Sequence, residues 1–218
     1  MNTQSWLAVV GQQRVVAVVR SSQFEQGIQM AKAVAAGGIR LIEVTWNSDR
    51  APDVIAQLRQ DLPDCWIGAG TLLTVARQQQ AIAAGAQFLF TPHVDIGMIK
   101  IAAEQEIPLV AGALSPTEIV QAWQAGAASV KVFPIGIMGG VAYIQALRAP
   151  LGNIPLIPTG GITIDNTPAF LQAGAIAVGL SSDLFPQAAL LQGNWDAIAL
   201  RTQALVQRVK SGKENCEF

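Results

Sequence analysis

Short apolar runs alternate with amphipathic segments along almost the whole chain. Eight runs are rich in strand-forming residues, at positions 14–20, 40–46, 66–70, 88–92, 107–113, 129–134, 154–161 and 175–182. The segments between them have helical length and spacing, and four of them end on Ala-Gly just before the next run. Strands that alternate with helices in this way predict a parallel (β/α)8 barrel of the α/β class, the TIM barrel.

The predicted barrel is one domain over residues 1–218, with a short N-terminal helix and a polar C-terminal tail. A doubly wound open sheet is the structural alternative, but no Gly-rich dinucleotide turn follows the first run. Because barrel enzymes place their active sites at the C-terminal ends of the strands, polar residues in or just after the apolar runs are the first candidates for chemistry.

Composition narrows the class of ligand. Charged residues make up only 13% of the chain and the net charge is −1, which argues against nucleic acid or an anionic membrane as a partner. No apolar run is long enough to span a bilayer. The cysteines, Cys65 and Cys216, are far apart, so no structural disulfide is expected and a reducing cytoplasm is favoured. Small neutral or anionic molecules remain as ligands.

A lysine interrupts the sixth apolar run, "SVKVFP". Side chains alternate along a strand, and the β-branched Val130 and Val132 suit the face under the helices. Ser129, Lys131 and Phe133 then face the barrel interior. From this segment alone, a lysine that reaches water from a strand end is an equal alternative.

The second run, "LIEVTW", changes that balance. Ile42 and Val44 take one face, while Leu41, Glu43 and Thr45 take the other, so a carboxylate also points into the lumen. One buried ionisable group is often structural, but two of opposite charge in one lumen suggest a reaction site.

An amine and a carboxylate in one dry pocket suit imine chemistry. A neutral amine attacks a carbonyl to form a Schiff base, and a carboxyl group can move protons among the intermediates. No metal is expected, because the single histidine, His93, has no cluster of cysteine and acidic residues at ligand spacing around it. No organic cofactor is expected either, because the imine itself acts as the electron sink. His93 follows Pro92 at a strand end and is predicted to be a loop residue near the rim rather than a general base.

The last two apolar runs end in small residues, "PTGG" and "GLSS". Loops at these two positions of a barrel often bind phosphate through backbone N–H groups. The candidate phosphate-binding residues are Gly160, Gly161, Gly179 and Ser181. Ser182 or Asp183 is expected to cap a short helix after the last strand.

Six motifs in order, "LIEVTWNS", "IGAGTLL", "FTPH", "VKVFP", "PTGGI" and "AVGLSSDL", resemble those of the 2-keto-3-deoxy-6-phosphogluconate (KDPG) and 4-hydroxy-2-oxoglutarate (KHG) aldolases. The resemblance covers residues 14–184. It implies a class I (β/α)8 aldolase without cofactor, in which Lys131 forms the Schiff base and Glu43 is the acid–base residue. Such enzymes are usually homotrimers.

The same resemblance assigns the substrate-binding residues. Thr71 and Pro92 are implied to seat the pyruvyl portion of the substrate, with Phe133 packed beside the imine. Arg20 ends the first strand and matches an arginine found in part of the family. It can hold a carboxylate or another anionic oxygen as a bidentate partner. A solvated arginine at a strand end is the alternative.

Two departures from the family pattern concern the substrate. Many phosphogluconate members have "LRT" where this chain has "WNS", so Asn47 replaces an arginine, and "TPH" stands where "SPG" is frequent. Asn47 and "SSDL" resemble the phosphogalactonate branch, whereas "PTGG" resembles the phosphogluconate branch. Asn47 can bond a C4 hydroxyl of either configuration, with Thr45 or Thr159 as alternative partners.

The sequence thus predicts a cytoplasmic, homotrimeric class I aldolase that cleaves KDPG to pyruvate and glyceraldehyde 3-phosphate. Within the same class, the galacto epimer, KHG and decarboxylation of oxaloacetate are alternatives. A barrel that only binds a phosphorylated metabolite, as a sensor, is the alternative of another class. The expected partners are a phosphorylated 2-keto acid and pyruvate, with no nucleic acid and no membrane.

Overall fold

One parallel sheet organises the computed structural model, which describes residues 3–214. Its strands are β1 (Val15–Val19), β2 (Leu41–Thr45), β3 (Trp66–Gly70), β4 (Leu89–Phe90), β5 (Leu109–Ala113), β6 (Ser129–Val132), β7 (Leu156–Pro158) and β8 (Val178–Leu180). They are ordered β7-β6-β5-β4-β3-β2-β1-β8, and every pair is parallel. A parallel bridge between Thr159 and Gly179 brings the two end strands together. The predicted (β/α)8 barrel is confirmed.

Helices surround the sheet and connect its strands. They are α1 (Thr3–Gln13), α2 (Phe24–Ala36), α3 (Ala51–Asp61), α4 (Val75–Ala83), α5 (Ile96–Glu104), α6 (Pro116–Gln124), α7 (Val141–Leu151), α8 (Thr167–Gln172), α9 (Gln187–Gln192) and α10 (Trp195–Glu214), with a 3-10 turn at Gly136–Met138. The predicted N-terminal helix is α1. The polar C-terminal residues were expected to form a tail, but α10 extends through them to Glu214, and Cys216 lies outside the described residues.

Ala-Gly ends four helices for a conformational reason. After three helices the glycine of this pair, and after α2 the second glycine of Ala-Gly-Gly, has φ between 93° and 100°, a left-handed conformation that is strained for other residues: Gly85, Gly126 and Gly174, and Gly38 after α2. At the end of α4, Gly85 N–H donates to Ile82 and Ala86 N–H donates to Ala81, at 2.9 and 3.0 Å. This pair of bonds is a Schellman motif, which reverses the chain directly into the next strand.

Three strands are less than half as long as the apolar runs that predicted them. β4, β7 and β8 occupy only the middle of 88–92, 154–161 and 175–182. Proline has no N–H for the ladder, so β4 ends before Pro92. Gly160 at φ 87° turns the chain out of the sheet soon after β7. The residues that leave the sheet early are therefore available to the loops at its carboxyl end.

Aromatic side chains fill the amino-terminal half of the barrel, which we call the lower lumen (Trp6, Phe88 and Phe90). All three are buried, and the Phe88 ring centroid lies 5.1 Å from that of Trp6 and 5.8 Å from that of Phe90. Trp6 Nε1 donates to Ser129 Oγ at 3.0 Å, which anchors α1 beneath the sheet. A Cβ on Gly68 would lie 2.3 Å from the Phe88 ring, so β3 needs glycine there.

Candidate active site

Lys131 enters the carboxyl-terminal half of the barrel, which we call the upper lumen (Glu43 and Lys131), from the middle of β6. Its neighbours Val130 and Val132 are fully buried under the helices, and Lys131 is only 6% exposed. The inward orientation predicted from alternation is confirmed. Its Nζ lies 5.7 Å from the ring centroid of Phe90 and 4.9 Å from that of Phe133. Within residues 3–214, no carboxylate oxygen lies within 4.0 Å of this nitrogen.

Glu43 enters the same space from β2. Its side chain is buried, and neither carboxylate oxygen has a hydrogen-bond partner among the described residues. Burial raises the pKa of Glu43 above its ordinary value, while the positive charges of Lys131 and Arg20 oppose the rise. A carboxyl group with a raised pKa and a free oxygen can both give and take a proton, so it suits acid–base work.

A glycine on the neighbouring strand makes room for this carboxylate. A Cβ built on Gly70 would lie 1.7 Å from Glu43 Oε1. The two glycines of the "GAG" in β3 are therefore required for different reasons. Gly68 makes room for Phe88 in the lower lumen, and Gly70 makes room for Glu43 in the upper lumen. Sequence reasoning did not identify Gly70, although its alternation with Gly68 was a usable signal.

Arg20 lies just beyond the end of β1 and is held from the side. Its Nε donates to Thr45 Oγ1 at 3.4 Å, and the Thr45 hydroxyl lies 3.1 Å from Ser48 Oγ. Ser48 Oγ in turn accepts from the N–H of Ser21 at 3.2 Å. Thr45, which was predicted to contact substrate, is fully buried and contacts Arg20 instead.

The two lumen ionisable residues open into one cavity of about 210 Å³ at the carboxyl ends of the strands. Its lining comprises Val18, Arg20, Glu43, Thr71, Pro92, Lys131, Phe133, Thr159, Gly160, Gly161, Ile162, Gly179, Ser181 and Ser182. Every predicted site residue is among them except Thr45 and Asn47, and Asn47 is an exposed residue of the loop after β2. Val18, Ile162 and Ser182 were missed, although Val18 shares the inward face of β1 by simple alternation.

Thr71 stands at the cavity in a strained conformation. Its φ is 59°, in the left-handed region that a β-branched residue rarely occupies. Such strain persists when the surrounding structure imposes it, and it concentrates at sites where a side chain must point in one direction. This favours the pyruvyl-binding role that the resemblance implies for Thr71.

Glycines shape the opposite wall of the cavity. Gly160 and Gly161 have φ of 87° and 85°, and a Cβ on Gly161 would lie 2.9 Å from the Cα of Gly136. A Cβ on Gly179 would lie 2.5 Å from Thr159 Oγ1. Without side chains, these loops leave their backbone open to an anionic group. The Ser181 hydroxyl donates to the carbonyl of Val18 at 2.9 Å.

The expected helix cap after β8 is wrong. α9 begins only at Gln187, after Pro186, and no side chain caps it. Asp183 instead accepts from the N–H of Ile164 at 2.8 Å and pairs with Arg201. Its partners are far from it in sequence, so the local pattern "SSDL" did not reveal them.

His93 lies in the loop after β4, as predicted, and does not line the cavity that contains Glu43 and Lys131. It borders a neighbouring cavity of about 400 Å³, which shares Pro92 and Phe133 with the first. Its Nδ1 is buried without a hydrogen-bond partner in the described part of the chain. Residues 3–214 contain no group of three or more His, Cys, Asp or Glu side chains placed to hold a metal ion, and no helix among them is long and apolar enough to cross a membrane.

The barrel and its lysine–carboxylate cavity define a class: an α/β barrel built for chemistry on a carbonyl compound. Residues 7–200 match the family model "KDPG and KHG aldolase", so the chain belongs to that family. A 2-dehydro-3-deoxy-phosphogluconate aldolase of Treponema pallidum is 34% identical over 90% of this chain and 93% of its own length. The KHG/KDPG aldolase of Escherichia coli K12 is 33% identical over 90% and 92%.

A solved structure resembles this one closely. It is the KDPG aldolase of Legionella pneumophila with pyruvate captured as a covalent carbinolamine intermediate. The two chains are 30% identical with a TM-score of 0.84, over 91% of this chain and 97% of the other.

Proposed function

We propose that the protein is a class I aldolase that reversibly cleaves KDPG into pyruvate and glyceraldehyde 3-phosphate. The observation that carries the proposal is the meeting of Lys131 and Glu43 in one cavity, each without an ion-pair partner within 4.0 Å among the described residues. A binding site for a phosphorylated metabolite needs neither an amine nor an unpaired buried carboxyl group. Membership of the aldolase family supports the same assignment.

In the proposed reaction, Lys131 Nζ attacks the C2 carbonyl, and loss of water gives the protonated imine. Glu43 takes the proton of the C4 hydroxyl as the C3–C4 bond breaks and the aldehyde forms. The bonding electrons pass to the imine as an enamine. Return of a proton to C3 and hydrolysis of the imine then release pyruvate and restore Lys131.

The other cavity residues bind different parts of the substrate. Thr71, Pro92 and Phe133 form the wall nearest the reacting carbons and receive the pyruvyl portion. The open backbone at Gly160, Gly161, Gly179 and Ser181 receives the 6-phosphate. Arg20 holds an anionic oxygen, with Thr159 beside the hydroxyl groups. Phosphate and pyruvyl ends are thus fixed separately, which orients C3 and C4 against Lys131 and Glu43.

Trapping tests the assignment directly. The protein is treated with pyruvate and borohydride, digested, and searched for the added mass, which we expect on Lys131 alone. A Lys131→Met variant should take up no label and cleave no KDPG, while Lys100→Met, at an exposed position on α5, should behave as the wild type. Label on another lysine, or none, would refute the Schiff-base role, and absence of label with tight phosphate binding would favour the sensor.

KHG is the second substrate that we propose. A relative whose name includes KHG is 33% identical to this chain. KHG keeps the pyruvyl portion and lacks the phosphate, so it should use Lys131 and Glu43 but gain nothing from the glycine loops. Turnover of KDPG, its galacto epimer, KHG and oxaloacetate by the purified protein ranks these alternatives.

A cytoplasmic homotrimer completes the proposal. Apolar side chains are exposed in segments that follow β3, β4 and β6: Leu73 at 47%, Ile96 at 49% and Ile137 at 81%. Exposed apolar residues of this size favour burial against another copy. Sedimentation equilibrium should give a mass three times that of the chain, and Ile137→Glu should lower it if this surface is the contact. The buried thiol of Cys65 suits a reducing compartment.

A further inference from the structure

The two loops that form the phosphate wall are joined by one carboxylate. Asp183, two residues after Ser181, accepts from the N–H of Ile164 in the loop that begins with Gly160, at 2.8 Å. Its other carboxylate oxygen pairs with Arg201 Nη2 at 2.7 Å. Beyond the bridge between Thr159 and Gly179, the β7 loop and the β8 loop are therefore linked through Asp183.

Arg201 holds that link from outside the cavity. It lies on α10 and does not line the cavity, yet its Nε donates to the Asp183 carbonyl while its Nη2 binds the Asp183 carboxylate. Two donors of one planar guanidinium fix both the backbone and the side chain of Asp183. Asp183 is 25% exposed and Arg201 is 39% exposed, so the ion pair itself adds little stability and its main effect is geometric.

The far side of the β7 loop is fixed independently. Gly136 N–H donates to the carbonyl of Gly160 at 2.8 Å, and Asn166 Nδ2 donates to that of Gly161 at 3.1 Å. Loss of the Arg201 contact would leave these bonds in place. It would free the β8 loop to move relative to the β7 loop, so the phosphate wall would lose its spacing while Lys131 and Glu43 kept theirs.

We propose that Arg201 and Asp183 are a positioning pair that sets the spacing of the two phosphate loops, so that α10 controls affinity for the phosphate group of the substrate. This inference rests on the proposed function, since it assumes that the loops receive a phosphate. Neither residue touches the reacting carbons. Their loss should therefore raise KM and spare the steps at Lys131.

The test compares Arg201→Met with Arg201→Lys. Because misplacement by about 1 Å is costly, Arg201→Met should raise KM for KDPG roughly tenfold and change kcat by less than about threefold. Arg201→Lys keeps the charge but loses the two-donor geometry, so it should recover only part of the loss. The rate of borohydride trapping of pyruvate on Lys131 reports a step that needs no phosphate, and it should stay near the wild-type rate.

A matched control lies on the same helix. Arg208 pairs with Asp165, which is 87% exposed and belongs to the same β7 loop, so Arg208→Gln removes an equal charge without touching Asp183. It should leave KM within about twofold of wild type, because an exposed pair contributes little. Asp183→Ala combined with Arg201→Met should be no worse than Asp183→Ala alone, since Arg201 acts through Asp183.

Affinity for inorganic phosphate, measured by titration followed by ³¹P NMR, separates this proposal from the proposed function. A wild type that binds phosphate but does not cleave KDPG would refute the function alone, and weaker phosphate binding by Arg201→Met would still support the pair. Unchanged phosphate affinity in both Arg201 variants would overturn the positioning role. So would an equal loss of phosphate affinity and of pyruvate trapping, because that result indicates general damage to the barrel.

Discussion

The lower and upper halves of the barrel lumen are built from the same strands and have opposite properties. In the lower lumen, the buried rings of Trp6, Phe88 and Phe90 pack against one another, with centroids 5.1 to 6.3 Å apart. In the upper lumen, Glu43 lacks any partner for its carboxylate oxygens among the described residues, and Lys131 faces a cavity. Packing stabilises the fold below, while unsatisfied groups are retained above at a cost in stability.

This contrast predicts that activity and stability can be removed separately. Lys131 has no ion pair among the described residues, so it contributes little to the stability of the fold. Phe88 is buried at the opposite end of the lumen from the cavity, so it takes no direct part in the chemistry. Substitutions in the two halves should therefore have effects that hardly overlap.

The largest effect is expected at Lys131. Lys131→Met removes the proposed nucleophile and should lower kcat by about 10⁴–10⁶-fold, as the loss of a covalent nucleophile does. Its free energy of unfolding should be unchanged or higher, because a buried charge is replaced by an apolar side chain of similar length. Urea unfolding beside a KDPG assay measures both; a marked loss of stability would contradict the separation of the two halves.

Glu43→Gln should lower kcat by about 10²–10⁴-fold, the usual contribution of a positioned acid–base group. It also has a pH signature. The folded-state pKa of Glu43 is raised above the ordinary 4.5, so the folded protein holds this proton more tightly than the unfolded chain. That stabilisation is present below about pH 4.5 and is lost as the pH rises through the folded-state pKa.

Unfolding of the wild type and of Glu43→Gln across a pH series checks this sign. The wild type should become less stable relative to the variant as the pH rises, since only the wild type must bury a charge. A relative gain in wild-type stability with rising pH would mean that Glu43 has a stabilising partner in the folded protein.

Phe88→Ala removes the central ring of the aromatic packing in the lower lumen. It should reduce the free energy of unfolding by about 3–5 kcal/mol through the cavity it leaves between Trp6 and Phe90. The kcat of the folded fraction should stay within a few fold of wild type, since Phe88 does not line the catalytic cavity. Thermal unfolding measures the loss of stability. Pyruvate trapping measures the concentration of folded active sites, from which kcat per folded molecule is calculated. A kcat that falls with full occupancy by pyruvate would show that the halves are coupled.

The sequence correctly predicted the inward faces of β2 and β6 and most cavity residues, but not the contacts of Thr45 and Asp183. Strand alternation is a local property with period two, so Lys131 and Glu43 could be placed in the lumen from a few neighbouring residues. The side-chain partners of residues at strand ends and in loops, in contrast, lie in distant parts of the chain. Thr45 bonds Arg20, and Asp183 bonds Ile164 and Arg201, across 18 or more positions, and no local pattern encodes those pairs.

Two glycines of β3 offer a matched comparison within one strand. Gly68→Ala places a Cβ 2.3 Å from the Phe88 ring and should cost about 1–3 kcal/mol of stability by overpacking. Gly70→Ala places one 1.7 Å from Glu43 Oε1 and should displace the carboxylate, lowering kcat roughly tenfold to a hundredfold. Unfolding curves should therefore show the larger loss of stability for Gly68→Ala, and kinetic assays the larger loss of kcat for Gly70→Ala. Equal losses of stability and kcat in the two variants would count against a divided lumen.

The smallest effects are expected at the edge of the upper lumen, at Thr45 and Asn47, which were both predicted to contact the substrate. Thr45→Val keeps the shape but removes the hydroxyl that accepts from Arg20 Nε at 3.4 Å. A hydrogen bond of that length is weak, so KM for KDPG should rise by only about threefold, equivalent to less than about 1 kcal/mol. Because the role proposed for Arg20 is to hold an anionic oxygen of the substrate and not to act on the imine, kcat should barely change.

Asn47→Ala tests whether Asn47 contacts the substrate, as the sequence predicted, or lies outside the cavity, as the structure shows. Asn47 was expected to contact the C4 hydroxyl, but it is exposed and does not line the cavity. We therefore expect a smaller change in KM than for Thr45→Val and the same ratio of kcat/KM between KDPG and its galacto epimer as in the wild type. If Asn47→Ala shifts that ratio more than about tenfold, the loop after β2 must close over the substrate when it binds. The upper lumen would then extend to a residue that lies outside it in this structure.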